Sequence, residues 1–225
     1  MSQNKKLINF LSQFITSQRF ELFKKIADNR TDYLTVVLEN IYQPHNASAV
    51  LRTCDCFGIN NIHIIENDNK FIDNAEISLG ASKWVNILNY NQEPNNTIQT
   101  LDLLKNAGYR LIAATPHGNT VNIDNFDLNK GKFALMFGSE QPGLSSLALE
   151  KADEFVKLPM YGFTESFNIS VSVALFLSNL ISRLHKSDIN FLLEDNLKDE
   201  LLLKWLRLSI KSVDLLEKKF FSEIN

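Results

Sequence analysis

Three times in this chain a continuous apolar run ends in a polar loop and then enters a helical pattern. The first run is Leu34-Thr35-Val36-Val37-Leu38-Glu39-Asn40, followed by Pro44-His45-Asn46-Ala47-Ser48-Ala49-Val50-Leu51-Arg52-Thr53. The second is Phe133-Ala134-Leu135-Met136-Phe137, followed by Gly138-Ser139-Glu140-Gln141-Pro142-Gly143-Leu144-Ser145. The third, Phe155 to Pro159, leads through a polar turn to Asn168 and a long apolar helix. Strands that alternate with helices predict an α/β protein, a mostly parallel sheet with helices on both faces. Such sheets bind ligands beyond the carboxyl ends of their strands, where the loops gather.

The pattern predicts strands near 34–39, 61–65, 84–88, 109–115, 132–137 and 155–159. Helices are expected near 45–56, 97–107, 144–152 and 168–185. Before them, residues 4–28 read as two short helices, and a leucine-rich helix is expected near 196–216. The domain organisation that follows is an N-terminal helical extension over 1–32, a central domain over 33–185 and a C-terminal helical extension over 186–225. At 225 residues and 44% hydrophobic, the chain can bury a full core as one domain with short appendages. The helix from Asn168 is apolar on nearly every side, which predicts burial all round. Neither it nor the leucine-rich helix is satisfied by one small sheet, so a homodimer is expected.

No apolar run reaches a membrane span, and Met1 to Asn9 lack the apolar centre of a signal peptide. Cys54 and Cys56 lie two apart in a predicted helix and cannot bridge each other without distortion. A cytoplasmic protein with reduced thiols and no metal is the expectation. The net charge of −3 is unevenly spread. Residues 1–30 carry +4, from Lys5, Lys6, Arg19, Lys24, Lys25 and Arg30 against Glu21 and Asp28; residues 31–184 carry −6 and residues 185–225 carry −1. The basic end can grip phosphates beside an acidic core, or it is an ordinary solvated helical face.

The loops exclude two common nucleotide sites. A dinucleotide fold needs G-x-G-x-x-G after its first strand, and this chain has Gln43-Pro44-His45-Asn46 there. In the loop from Gly138 to Ser145, Leu144 stands where a phosphate-cradling lysine belongs, and Glu140 sets a negative charge where phosphate oxygens would sit. A cationic or neutral cofactor fits this loop better. Thr164, Ser166 and Asn168 crowd the entry of the last helix, either as caps or as the wall of a ligand pocket. Arg52 sits in an otherwise apolar run and needs a partner, either an acid such as Asp55 or Glu140, or a substrate phosphate. Thr115 reads as a strand-end residue before Pro116, Gly138 as a turn glycine, and His45 as a loop histidine bonded to backbone.

In order and register, the three segments, with Gly80-Ala81-Ser82-Lys83-Trp84-Val85 between the first two, resemble the motifs of the SPOUT class of RNA methyltransferases. They look like its TrmH-type 2′-O-ribose methyltransferases over residues 33 to 184. The resemblance implies a deep trefoil knot at the C-terminal part of the domain, which no pattern of elements would predict, and a homodimer. It implies S-adenosylmethionine, a sulfonium without phosphates, held by backbone groups around Thr115, Gly138, Leu158 and Phe167. Family members usually carry leucine at Phe167, a change from apolar to apolar. It also implies that Asn46, Arg52, Glu140, Ser166 and Asn168 build the catalytic site. Arg52 is then either the base that takes the 2′-hydroxyl proton or the group that stabilises the alkoxide and positions the adjacent phosphate.

Only about thirty residues precede the first strand, too few for the separate RNA-binding domain that ribosomal-RNA members of the family carry. The short helical extensions resemble instead the tRNA enzyme acting on the D-loop guanosine at position 18, so tRNA is the expected partner. Two alternatives stay open: a ribosomal-RNA methyltransferase, and a non-catalytic RNA-binding protein with this fold.

Overall fold

The structure, a computed structural model, describes residues 2–224. Met1 and Asn225, the outer ends of the two expected extensions, lie outside the described residues. In chain order the elements are α1 (Gln3–Leu11), α2 (Ser17–Ala27), β1 (Leu34–Glu39), α3 (Pro44–Cys56), β2 (Asn61–Ile65), α4 (Ala75–Ser78), β3 (Asn86–Tyr90) and α5 (Thr97–Asn106). They continue with β4 (Arg110–Ala114), β5 (Val121–Asn122), β6 (Phe133–Phe137), α6 (Ser146–Lys151), β7 (Glu154–Lys157), α7 (Ile169–Leu184), α8 (Asp195–Ser209) and α9 (Val213–Ile224). No helix among the described residues is long and apolar enough to cross a membrane. The chain forms two compact units, residues 31–191 and residues 2–30 with 192–224.

Residues 31–191 build a seven-stranded sheet in the order β3-β2-β1-β6-β4-β7-β5, and every pairing is parallel. Every residue of β1 and β6 is buried, as parallel strands covered on both faces require. Alternate residues serve opposite faces. Val37, Ile65, Leu111, Ala113, Ala134 and Met136 pack with Leu101 and Leu104 of α5 and Ala148 of α6. On the other face α3 and α7 pack together, and Phe176 of α7 meets Phe137 with ring centroids 5.6 Å apart.

Several sequence expectations need correction. The strand expected at 84–88 runs over Asn86–Tyr90, because the N–H groups of Trp84 and Val85 turn back to the Ala81 carbonyl and pairing starts only at Asn86. The third motif's strand ends at Lys157, two residues before Pro159, and the two-residue strand β5 pairs with its last part. α7 is not buried all round. Val171 and Leu175, one turn apart, are 44% and 41% exposed, while Val173, Phe176, Leu177 and Leu180 are buried.

In the other unit, the helix expected at 196–216 is two helices. The chain leaves α8 through extended Ile210 and turns at Ser212, which takes a positive φ of 56°. An ion pair at 2.7 Å from Arg207 of α8 to Glu217 of α9 spans the turn. Leucine spacing continues through that break, which is why periodicity misses it. Most of the apolar face of α8 is covered: Leu201, Leu202, Leu203, Trp205 and Leu206 are buried and α8 packs on α1 and α2, while Leu208 stays exposed. Arg30 leaves the expected basic surface. It is 1% exposed, with its guanidinium 5.5 Å from the centre of the Trp205 ring. Lys24 pairs with Glu21 at 2.6 Å, so the exposed bases of α1 and α2 are Lys5, Lys6, Arg19 and Lys25.

Candidate active site

Strands β6, β4 and β7 are neighbours in the sheet, and their carboxyl ends open onto one cavity of about 710 Å³. Its wall is drawn from residues 114–119, 137–144, 157–158, 160 and 165–169, with Leu149 of α6, Phe155 of β7, and Ser172 and Phe176 of α7. Thr115, Gly138, Leu158 and Phe167 all line it, as do Glu140, Ser166 and Asn168. Three segments far apart in sequence meet here because adjacent parallel strands deliver their following loops to one edge.

The Gly138 loop has a tight geometry. Ser139 and Gly143 exchange two N–H···O bonds, both 3.1 Å, so the chain doubles back on itself. A Cβ on Gly138 would stand 2.0 Å from the carbonyl carbon of Gly143, which only glycine avoids. Gly143 itself takes φ +70°, the left-handed region that closes the turn.

Asn46 lies in the first turn of α3, directly after β1, and is buried. Its Nδ2 donates to Glu140 Oε1 at 2.6 Å, and its Oδ1 accepts from Asn168 Nδ2 at 3.1 Å. One residue from each motif is thereby joined in a hydrogen-bonded chain on the cavity rim. Asn168 is also the cap of α7, its Oδ1 accepting from the Ser170 N–H at 2.9 Å and the Ser170 hydroxyl at 2.7 Å.

Thr164 and Ser166 do not share that capping. Both are exposed, and Ser166 has no hydrogen-bond partner among the described residues, so water removes the cost that a buried junction would impose. Arg52 is not brought into the cavity. Six residues beyond Asn46 on α3, it points roughly 120° away around the helix, exposed, with no ion pair to a described residue. The buried ion pair with Asp55 or Glu140 is therefore not formed; Glu140 bonds Asn46 instead. His45 is likewise exposed, in the first turn of α3 rather than in a loop.

Two acids, Glu140 and Glu165, and two basic side chains, His117 and Lys157, line the cavity. Pattern reasoning missed His117, Lys157 and the aromatic wall of Phe137, Phe155 and Phe176, since an apolar residue at a strand end reads as core. It also passed over Glu39, a buried carboxylate at the end of β1. The signal was an acid closing an otherwise apolar strand.

Residues 33–178 match the family described as the SpoU rRNA methylase family. A curated tRNA (guanosine(18)-2′-O)-methyltransferase of Borreliella burgdorferi is 42% identical over 94% of this chain and 95% of its own length. The Thermus thermophilus protein of the same name is 33% identical over 72% of this chain and 81% of its own. Among solved structures, the A. aeolicus TrmH/SpoU tRNA modifying enzyme has a TM-score of 0.75 at 28% identity, covering 85% of this chain and 96% of that one.

Proposed function

Because the chain belongs to the SpoU rRNA methylase family, we propose that it methylates the ribose 2′-hydroxyl of guanosine 18 in tRNA, with S-adenosylmethionine as methyl donor. The observation that carries this reading is the joining of Asn46, Glu140 and Asn168, at 2.6 and 3.1 Å, on the rim of the cavity. The 42% identity to an enzyme of that specificity supports the choice of substrate.

The residues present suit this donor. The cavity has the volume of a small-molecule site. Glu140 and Glu165 favour a cation, and Gly138 lets backbone approach closely. Backbone groups around Thr115, Gly138, Leu158 and Phe167 would hold the donor. When bound, it supplies an electrophilic methyl group on a sulfonium.

The remaining work falls to the chain's own residues. A 2′-hydroxyl is a very weak acid, and its proton must leave as the oxygen is methylated. Arg52, exposed on α3 outside the cavity, grips the phosphate adjacent to the target ribose with its planar fork and so positions the 2′-hydroxyl for attack. A guanidinium hardly ever gives up its proton, so the 2′-hydroxyl proton passes to solvent water rather than to Arg52 as the sulfonium loses its methyl and leaves as the neutral thioether. The Glu140–Asn46–Asn168 chain keeps loop, α3 and α7 in register, and Ser166 offers an exposed hydroxyl to the RNA. Lys5, Lys6, Arg19 and Lys25 of the N-terminal extension grip the tRNA backbone. Two copies pair through the exposed apolar stripe of α7, Val171 and Leu175, with Phe167 beside it.

The test is a methylation assay with labelled donor on unmodified tRNA transcripts, followed by mapping of the modified nucleotide. Label on the ribose of guanosine 18 is expected. Label mapped to another nucleotide, or none despite donor binding, would overturn the reading.

A further inference from the structure

Glu39 closes β1 with a carboxylate that is 2% exposed and that the chemistry above does not use. Burying a carboxylate is costly unless donors surround it. Here Oε2 accepts from the Ser145 N–H at 2.8 Å, while Oε1 accepts from the Ser145 hydroxyl at 2.7 Å and the Thr97 hydroxyl at 2.6 Å. Both hydroxyls already accept a bond elsewhere, Ser145 from the Ala148 N–H at 3.1 Å and Thr97 from Asn67 Nδ2 at 3.0 Å. Their protons are therefore directed at Glu39.

Ser145 immediately follows the loop from Gly138 to Leu144 that lines the cavity. At its start the loop is fixed by the sheet, where Phe137 pairs with Leu38, the residue before Glu39. At its end it is fixed by the bonds from Ser145 to the Glu39 carboxylate. An amide in place of that carboxylate could not do the same. In one orientation its NH₂ would face the Ser145 N–H, and in the other it would face two hydroxyls whose protons already point inward.

We propose that Glu39 is a positioning residue for the donor pocket: by holding Ser145 it sets the Gly138–Leu144 loop, and Glu140 with it, in the shape that receives the donor. This rests on the reading of the cavity as the S-adenosylmethionine site.

The experiment compares wild-type protein with Glu39→Gln by hydrogen exchange in the donor-free state, by calorimetry with S-adenosylmethionine, and by steady-state kinetics. Faster exchange of the amides over 139–145 is expected, with donor affinity and donor KM weakened roughly tenfold, about the net worth of one hydrogen bond. The KM for tRNA should stay unchanged, a split that general destabilisation would not produce. Ser145→Ala should reproduce the effect, and adding it to Glu39→Gln should weaken donor binding no further. Wild-type exchange and donor affinity in Glu39→Gln, or effects that add fully in the double variant, overturn the proposal. Should Glu39→Gln fail to fold, Ser145→Ala decides by the same two readouts. A wild-type protein that binds no S-adenosylmethionine would instead sink the functional reading, and the exchange data would still report whether Glu39 holds the loop.

Discussion

Arg52 is the residue on which the proposed chemistry turns, and its surroundings separate catalysis from folding. It is exposed and makes no ion pair to a described residue, so Arg52→Ala should keep its melting temperature and donor affinity. Removing a group that positions the reacting ribose should lower the methylation rate by about 10²-fold. Arg52→Lys keeps the charge without the bidentate fork and should stay impaired. A fully active alanine variant would remove Arg52 from the mechanism. Local pattern marked the loops that follow apolar strands as ligand-binding, while Asn46, Arg52, Glu140, Ser166 and Asn168 were assigned to the catalytic site only by the resemblance of the motifs. Their partners were not legible: the Asn46 amide finds Glu140 across 94 residues and Asn168 across 122. Glu39 stayed hidden for the same reason, since its donors lie 58 and 106 residues away.

Among the elements, the β2–β3 pair carries the clearest pH dependence. His63 on β2 is buried, bonds Tyr90 OH through Nδ1 at 2.8 Å, and stacks on that ring. Burial lowers its pKa from 6.5 to about 4. The unfolded chain therefore binds the proton first on acidification. The stability of neutral His63 is complete above pH 6.5 and drains away as pH falls toward 4, by about 3 kcal/mol. His63→Gln should flatten that part of the profile in thermal melts between pH 7 and 4.5, and an unchanged slope would assign the loss to other groups. α1 and α2 carry a second expectation. Replacing Lys5, Lys6 and Lys25 with alanine should weaken tRNA binding and reduce its salt slope by roughly one for each phosphate no longer neutralised. Lys24→Ala should do less, because Lys24 is tied to Glu21. An unaltered slope returns these lysines to ordinary surface.

At the scale of the whole molecule, the proposed pairing of two copies rests on α7, whose stripe of Val171 and Leu175 faces solvent in the single chain. Light scattering should give a dimer mass at micromolar concentration. Val171→Asp with Leu175→Asp should weaken association about 100-fold with the fold intact, since neither side chain is buried in the monomer. A wild-type monomer would count against pairing through this helix. The sequence by itself determined the parallel α/β architecture, the order of the strands along the chain and the polar residues at their carboxyl ends. These follow from local periodicity and from the need to bury apolar strands on both faces. Only the tertiary structure decided that β6, β4 and β7 stand side by side, that Asn46 links Glu140 to Asn168, and that Arg30 is core while Arg52 is surface. Burial and hydrogen bonding depend on which distant segment arrives opposite a side chain, and local pattern carries no record of that arrival.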